Sequence, residues 1–82
     1  MTVGELLLTN KDKYTKAFLI QNDKETNKAV FTQVKDENVA KDLIDVEAKD
    51  YFLLDKVAIN EIFGNADELE ITEDDKVFVI GI

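Results

Sequence analysis

The densest group of chemically reactive side chains is a run of carboxylates at positions 67–75, which holds six acidic residues and no base. Carboxylate oxygens are suitable ligands for calcium or magnesium. Aligned as a calcium loop that begins at Asn65, the run has Leu69 at position 5 and Glu70 where position 6 needs glycine. Position 12 is Lys76 instead of glutamate. The spacing therefore predicts no tight metal site, and nothing else in the sequence predicts a cofactor.

The usual catalytic side chains are missing from the whole sequence, which contains no Ser, Cys or His. Ser-His-Asp and Cys-His arrangements are therefore excluded, and the side chain best matched to proton transfer near neutral pH is absent. A zinc site would have carboxylate ligands only. The three glycines are scattered, so no phosphate-binding loop forms. Eighteen acidic residues bring some carboxylates together by chance, so a carboxylate pair identifies no active site. We predict that the protein is not an enzyme.

The charge of the chain is strongly negative and unevenly distributed. The net charge is −8, and all ten cationic residues are Lys. Residues 1–35 carry a net +2, whereas residues 36–75 carry three Lys and fourteen acids, a net −11. Without Arg, and with this net charge, direct binding to nucleic acid is disfavoured. The acidic half is either a solvated surface that keeps the protein soluble or a face that docks on a basic partner.

The elements of the first half are predicted from local signals. Thr2 and Glu5 have the spacing of a capping box, which predicts a short helix over about residues 3–9. Residues 14–21 and 28–34 are rich in strand-forming side chains. The polar segment between these strands predicts an antiparallel hairpin with a loop of about six residues.

The middle of the chain is less regular. Apolar residues at helical spacing predict a helix at about 38–45. Residues 51–54 are consistent either with a short buried strand or with the start of the next helix. Asp55 is a suitable cap for a helix over 56–63, and Gly64 follows where a left-handed C-terminal cap belongs.

The end of the chain predicts a second hairpin, formed by residues 67–72 and 76–82 around the acidic turn 73–75. Leu69 and Ile71 alternate with glutamates, so one face of the first strand is apolar and the other acidic. The second strand is apolar on both faces. Such a strand needs cover on both sides, which usually means a central place in the sheet.

The length of this turn decides which side chains of the hairpin are neighbours. A three-residue turn sets Glu70 beside Phe78 and Glu68 beside Ile80, which forms an apolar patch edged with carboxylates. A two-residue turn shifts the register by one residue and packs Phe78 and Ile80 with the apolar residues of the first strand. No glycine marks the turn, so the register stays open. The candidate partner-binding residues are the acids of the hairpin and two apolar residues of its last strand: Glu68, Glu70, Glu73, Asp74, Asp75, Phe78 and Ile80.

Together these elements predict one small α+β domain over residues 1–82. Its antiparallel sheet has four to five strands in two hairpins, with two to three short helices. The chain has no Cys for disulfides, no apolar run long enough to span a membrane, and no basic N-terminal region typical of a signal peptide. We therefore expect a cytoplasmic protein.

Three segments resemble short proteins encoded by phages and mobile elements of low-GC Gram-positive bacteria. They are the opening Met1-Thr2-Val3-Gly4-Glu5-Leu6-Leu7, the helix end Ile62-Phe63-Gly64, and the closing Lys76-Val77-Phe78-Val79-Ile80. The resemblance implies a cytoplasmic setting and a role in inhibiting host or rival machinery. Acidic inhibitors of this kind often resemble nucleic acid in charge.

We expect, therefore, a non-enzymatic protein-binding domain whose acidic second half docks on a basic partner surface. A phage or mobile-element inhibitor that mimics nucleic-acid charge is the form that the resemblance implies. The alternative is a self-associating structural domain, a homo-oligomer that uses the two-faced last strand.

Overall fold

The computed structural model describes residues 1–34 and 44–82. These residues form an α+β domain, and the predicted fold class is confirmed. The helices and strands of the described residues are α1 (Val3–Thr9), β1 (Lys16–Asp23), β2 (Lys28–Val34), β3 (Asp50–Leu54), α2 (Lys56–Ile62) and β4 (Val77–Gly81). Most of the helix predicted at 38–45 lies outside the described residues, and Ile44 and Asp45 lie in a turn. Neither described helix is long and apolar enough to cross a membrane.

The four strands form one mixed sheet in the order β2-β1-β4-β3. β1 and β2 are antiparallel, with Ala17 opposite Val34 and Asp23 opposite Lys28, so the first predicted hairpin is confirmed. β4 runs parallel to β1 and antiparallel to β3. The sheet is therefore not antiparallel throughout.

The predicted second hairpin is wrong. Residues 66–70 form a turn instead of a strand. The physical reason is that β4 has only two sides for backbone pairing, and β1 and β3 occupy both. The prediction that the last strand is central is confirmed, because β4 lies between β1 and β3, and its residues 77–80 are all buried. The ambiguous segment 51–54 belongs to strand β3.

The sheet has an apolar cluster on each face. On the face covered by α1, the buried residues are Val3, Leu6, Ala17, Leu19, Phe78 and Ile80. On the face covered by α2, they are Phe18, Ile59, Ala66, Ile71, Val77 and Val79. β1 and β4 supply residues to both clusters in alternation, as expected for central strands with a side-chain period of two.

The helix ends follow the sequence signals. Thr2 Oγ1 accepts a hydrogen bond from the Glu5 N–H at 3.2 Å, and Glu5 Oε1 accepts one from the Thr2 N–H at 3.2 Å. These bonds from Thr2 lower the pKa of Glu5. Asp55 accepts from the Ala58 N–H at 2.8 Å at the start of α2. Gly64, with φ 71°, follows the end of α2 in the left-handed region.

Candidate functional site

Residues 65–76, which connect α2 to β4, form the most acidic described segment, and we call it the acid loop. It holds the six carboxylates of positions 67–75. Its backbone turns on itself: the Leu69 N–H donates to the Asn65 carbonyl at 3.1 Å, and the Ile71 N–H donates to the Ala66 carbonyl at 2.9 Å. Glu70 lies in the left-handed region, with φ 57°. Such a conformation in a residue other than glycine persists only where its surroundings hold it.

Apolar side chains anchor the acid loop to the sheet. Ala66 and Ile71 are buried in the α2-face cluster beside Ile59, and Leu69 packs against the same cluster. The alternation of Leu69 and Ile71 with glutamates, which predicted a strand, therefore belongs to a loop whose apolar side chains point into the core. The glutamates on either side are left at the surface.

Asp75 holds the end of the acid loop against the start of β1. Its Oδ1 accepts from Thr15 Oγ1 at 2.7 Å, and its Oδ2 accepts from the Thr72 N–H at 2.8 Å. Lys16 Nζ lies 3.0 Å from the same Oδ2, and the Asp75 side chain is only 12% exposed. These bonds hold the pKa of Asp75 well below its usual range. The largest contribution comes from the Thr72 N–H, and the bonds from Thr15 and Lys16 add to it.

Lys16 joins the two parts of the acid loop. Besides its ion pair with Asp75, its ammonium group donates to the carbonyl of Glu70. The contact supports the left-handed Glu70 backbone. Sequence reasoning missed Thr15 and Lys16, because they are about 60 positions away from Asp75. Only the contact between Thr72 and Asp75 has a local sequence signal, because an Asp three residues from a Thr can accept a hydrogen bond from the backbone of the same turn.

The candidate contact residues fall into three groups. Glu68, Glu70, Glu73 and Asp74 are exposed on the acid loop. Asp75 lies beside them, but its oxygens bind groups of the chain itself. Phe78 and Ile80 are 2% and 0% exposed.

Phe78 and Ile80 are therefore not contact residues, and this part of the prediction is corrected. They lie on central strand β4 under α1, in the interior of the domain. The apolar patch edged with carboxylates does not form, because residues 67–72 are not a strand beside β4.

Outside residues 35–43, no three acidic side chains come together in a way that could hold a metal ion. The carboxylates of the acid loop point outward, except for Asp75, whose oxygens accept from Thr15, Lys16 and Thr72. The exposed carboxylates place negative charges at fixed positions, and these carboxylates can form ion pairs with Lys or Arg of another molecule.

A second surface lies along β3, at the edge of the sheet. Tyr51, Phe52 and Leu53 are 51%, 54% and 49% exposed. The rings of Tyr51 and Phe78 make an edge-to-face contact, with their centroids 6.1 Å apart. Three consecutive large apolar side chains are therefore half-exposed on one edge strand. Exposed apolar groups of this kind are common where proteins bind one another.

Comparison of the chain with protein-family models, curated proteins and solved structures gives no match.

Proposed function

We propose that the protein is a non-enzymatic binding domain whose acid loop docks on a basic surface of a protein partner. The observation that supports this proposal is the combination of charge and fixed geometry. Five exposed carboxylates stand on a loop whose backbone is held by buried Ile71 and Ala66 and by the bonds of Asp75.

Fixed geometry matters for binding because ordering a flexible loop on association costs free energy. The acid loop has already lost most of this freedom in the folded domain. Negative charge concentrated on one loop also attracts a basic partner over distances of about a Debye length, which is ~8 Å at physiological salt. The expected result is fast association that weakens as salt is added.

The partner in this proposal is a cytoplasmic protein whose basic surface binds nucleic acid. This form of the proposal is supported by the resemblance to small phage and mobile-element proteins and by the negative charge of the acid loop. The protein would inhibit such a partner by occupying the surface that nucleic acid uses. A catalytic role has no support, because the sequence contains no Ser, Cys or His.

The first experiment is an affinity capture from the native host at low and high salt, to identify the partner by mass spectrometry. The second tests the surface. We would change four exposed carboxylates of the acid loop to Lys, namely Glu68, Glu70, Glu73 and Asp74, and leave Asp75 intact because it holds the loop.

The matched control changes four exposed carboxylates elsewhere to Lys: Asp12, Glu25, Asp45 and Glu61. Both sets bring the net charge from −8 to zero. We expect the acid-loop variant to associate at least ~10-fold more slowly with the captured partner, with the control close to the parent. Equal slowing in both variants would show that only net charge matters, and the acid loop would not be the docking surface.

A further inference from the structure

The outer side of β3 is open within the part of the chain that the structure describes. β3 is the last strand in the order β2-β1-β4-β3. Next to the two ends of β4, the Ile82 N–H donates to the Ile20 carbonyl and the Lys76 carbonyl accepts from the Lys16 N–H, so these groups face β1. Because backbone groups alternate sides along a strand, Val77, Val79 and Gly81 pair with β3. Their opposite residues on β3 are Leu54, Phe52 and Asp50.

The backbone N–H and C=O groups of Tyr51 and Leu53 therefore point away from β4, toward the open edge. Edge strands usually carry Lys, Pro or inward-pointing charges that prevent pairing with another chain. β3 has one charged residue, Asp50 at its start, and none from Tyr51 to Leu54. β2, at the other edge, begins with Lys28 and has polar Thr32 and Gln33 near its end.

We propose that β3 pairs with β3 of a second copy of the chain, antiparallel and with the two-fold axis at Phe52. In this register Tyr51 of each copy lies opposite Leu53 of the other. These are the residues whose backbone groups point outward, so two hydrogen-bonded pairs form with four N–H···O=C bonds. The result is a continuous eight-stranded sheet. The interaction does not depend on the acid loop or on a basic partner.

The side chains also match in this register. Phe52 packs against Phe52 of the second copy on the α2 face, and Tyr51 packs against Leu53 on the α1 face. Aromatic and apolar cross-strand pairs of this kind stabilise sheets. Asp50, the one charged residue of β3, lies opposite Leu54 of the second copy and not opposite another charge. The outward backbone groups and the exposed apolar side chains of β3 thus both match those of a second copy, and no like charges face each other, which favours a second copy over an unrelated peptide.

The decisive experiment uses a single introduced cysteine, because the natural chain has none. At the two-fold axis the two Phe52 residues form a non-hydrogen-bonded pair, with Cα atoms about 4.5 Å apart. This separation is within the range of a disulfide, ~4.4–6.8 Å. Phe52→Cys is therefore expected to cross-link rapidly in a glutathione redox buffer.

Tyr51→Cys is the matched control, one residue away and equally exposed. In the proposed register its two copies are diagonal neighbours, about 7–8 Å apart, which is too far for an unstrained disulfide. Tyr51→Cys is therefore expected to cross-link at least ~10-fold more slowly than Phe52→Cys. Equal rates at the two positions, or a faster rate at position 51, would overturn the proposed register.

Sedimentation equilibrium without any partner supplies the independent readout. An interface of one short strand is small, so we expect a dissociation constant on the order of 10–100 μM. Phe52→Lys places two like charges at the axis and is expected to raise this constant more than ~10-fold, whereas Val30→Lys on the β2 edge leaves it unchanged. A parent protein that is monomeric up to ~1 mM, or a dimer equally weakened by both variants, would overturn the proposal.

Discussion

Replacement of Ile71 by Ala tests whether the acid loop is held by the hydrophobic core. The Ile71 side chain is 3% exposed and packs in the α2-face cluster with Ile59 and Ala66. The substitution removes three buried carbon atoms, each with a transfer free energy of about 0.8 kcal/mol. The lost transfer free energy is therefore about 2.4 kcal/mol, and a partly relaxed cavity brings the total to ~3 kcal/mol.

A loss of this size is a large part of the total. A chain of this length is expected to have a free energy of unfolding of about 4–12 kcal/mol. The assay is urea denaturation followed by far-UV circular dichroism, with the free energy of unfolding obtained by linear extrapolation. We expect a lower midpoint and an unchanged dependence on urea, because the native and unfolded surfaces are nearly the same in both proteins.

Ile62→Ala is the control, since it removes the same atoms from a side chain that is 61% exposed on α2. Its expected effect is within about 0.5 kcal/mol, apart from the small gain of Ala in a helix. If Ile71→Ala destabilises no more than Ile62→Ala, the acid loop is not seated in the core. The fixed geometry on which the proposed function depends would then be refuted, whatever the charge of the loop.

Three further predictions follow from other features of the structure. Gly64→Ala is expected to lower the free energy of unfolding by about 1–2 kcal/mol in urea denaturation. The reason is that φ 71° is unfavourable for Ala, whereas there is enough space for the added methyl group. Gly64→Asn is expected to lose less stability, because Asn tolerates this backbone conformation better. Asp75→Asn tests the pH dependence of stability. Because the pKa of Asp75 is lowered in the folded state, its ionised form stabilises the fold above about pH 4. This contribution to stability is lost as the pH falls further. The stability difference between the parent and Asp75→Asn, measured by thermal melts, should therefore be largest at neutral pH and shrink below about pH 4; a constant difference would contradict the bonding described for Asp75. Finally, ~0.5 M salt at pH 7 is expected to raise the melting temperature of the parent, because screening reduces the repulsion among the carboxylates; a flat or falling trend would show that favourable ion pairs dominate.

The elements that sequence analysis predicted well are those with local causes. The start of α1 follows from the capping box of Thr2 and Glu5, and the limits of α2 follow from Asp55 and Gly64. The β1–β2 hairpin likewise needs only two strand-forming segments and the polar turn between them. Each of these signals acts within a few residues, so a single sequence contains all the information needed.

The second hairpin failed because strand pairing is a competition over the whole chain. Alternation of Leu69 and Ile71 with glutamates is compatible with a strand or with an anchored loop, and local propensity cannot distinguish them. The missed signal lies in β1, where residues 17–20 are apolar on both faces, as in β4. Two such strands each need a central place, and in a four-stranded sheet the two central strands are neighbours.

The acidic segment was recognised as a candidate surface, but its internal structure was not predictable. The bonds of Asp75 to Thr15 and Lys16 exist only because β1 and β4 are adjacent and parallel. The exposure of β3 depends on the sheet order in the same way. Sequence therefore identified which residues are charged or apolar, whereas the topology decides which of them reach the surface.

The acid loop and the edge of β3 can act together without opposing each other. The acid loop ends where β4 begins, at Val77, and Val77 lies opposite Leu54 of β3. In an antiparallel β3 pair, Leu54 of one copy lies opposite Asp50 of the other, so the two acid loops lie toward opposite ends of the combined sheet. The β4 strands of the two copies are three strand spacings apart, about 14 Å, which exceeds a Debye length of ~8 Å, so the mutual repulsion of the acid loops is small. The dimer would present two separated acidic surfaces, and a partner with two basic sites would bind the dimer more tightly than the monomer. Phe52→Lys should then weaken binding to such a partner without slowing the association of a single site.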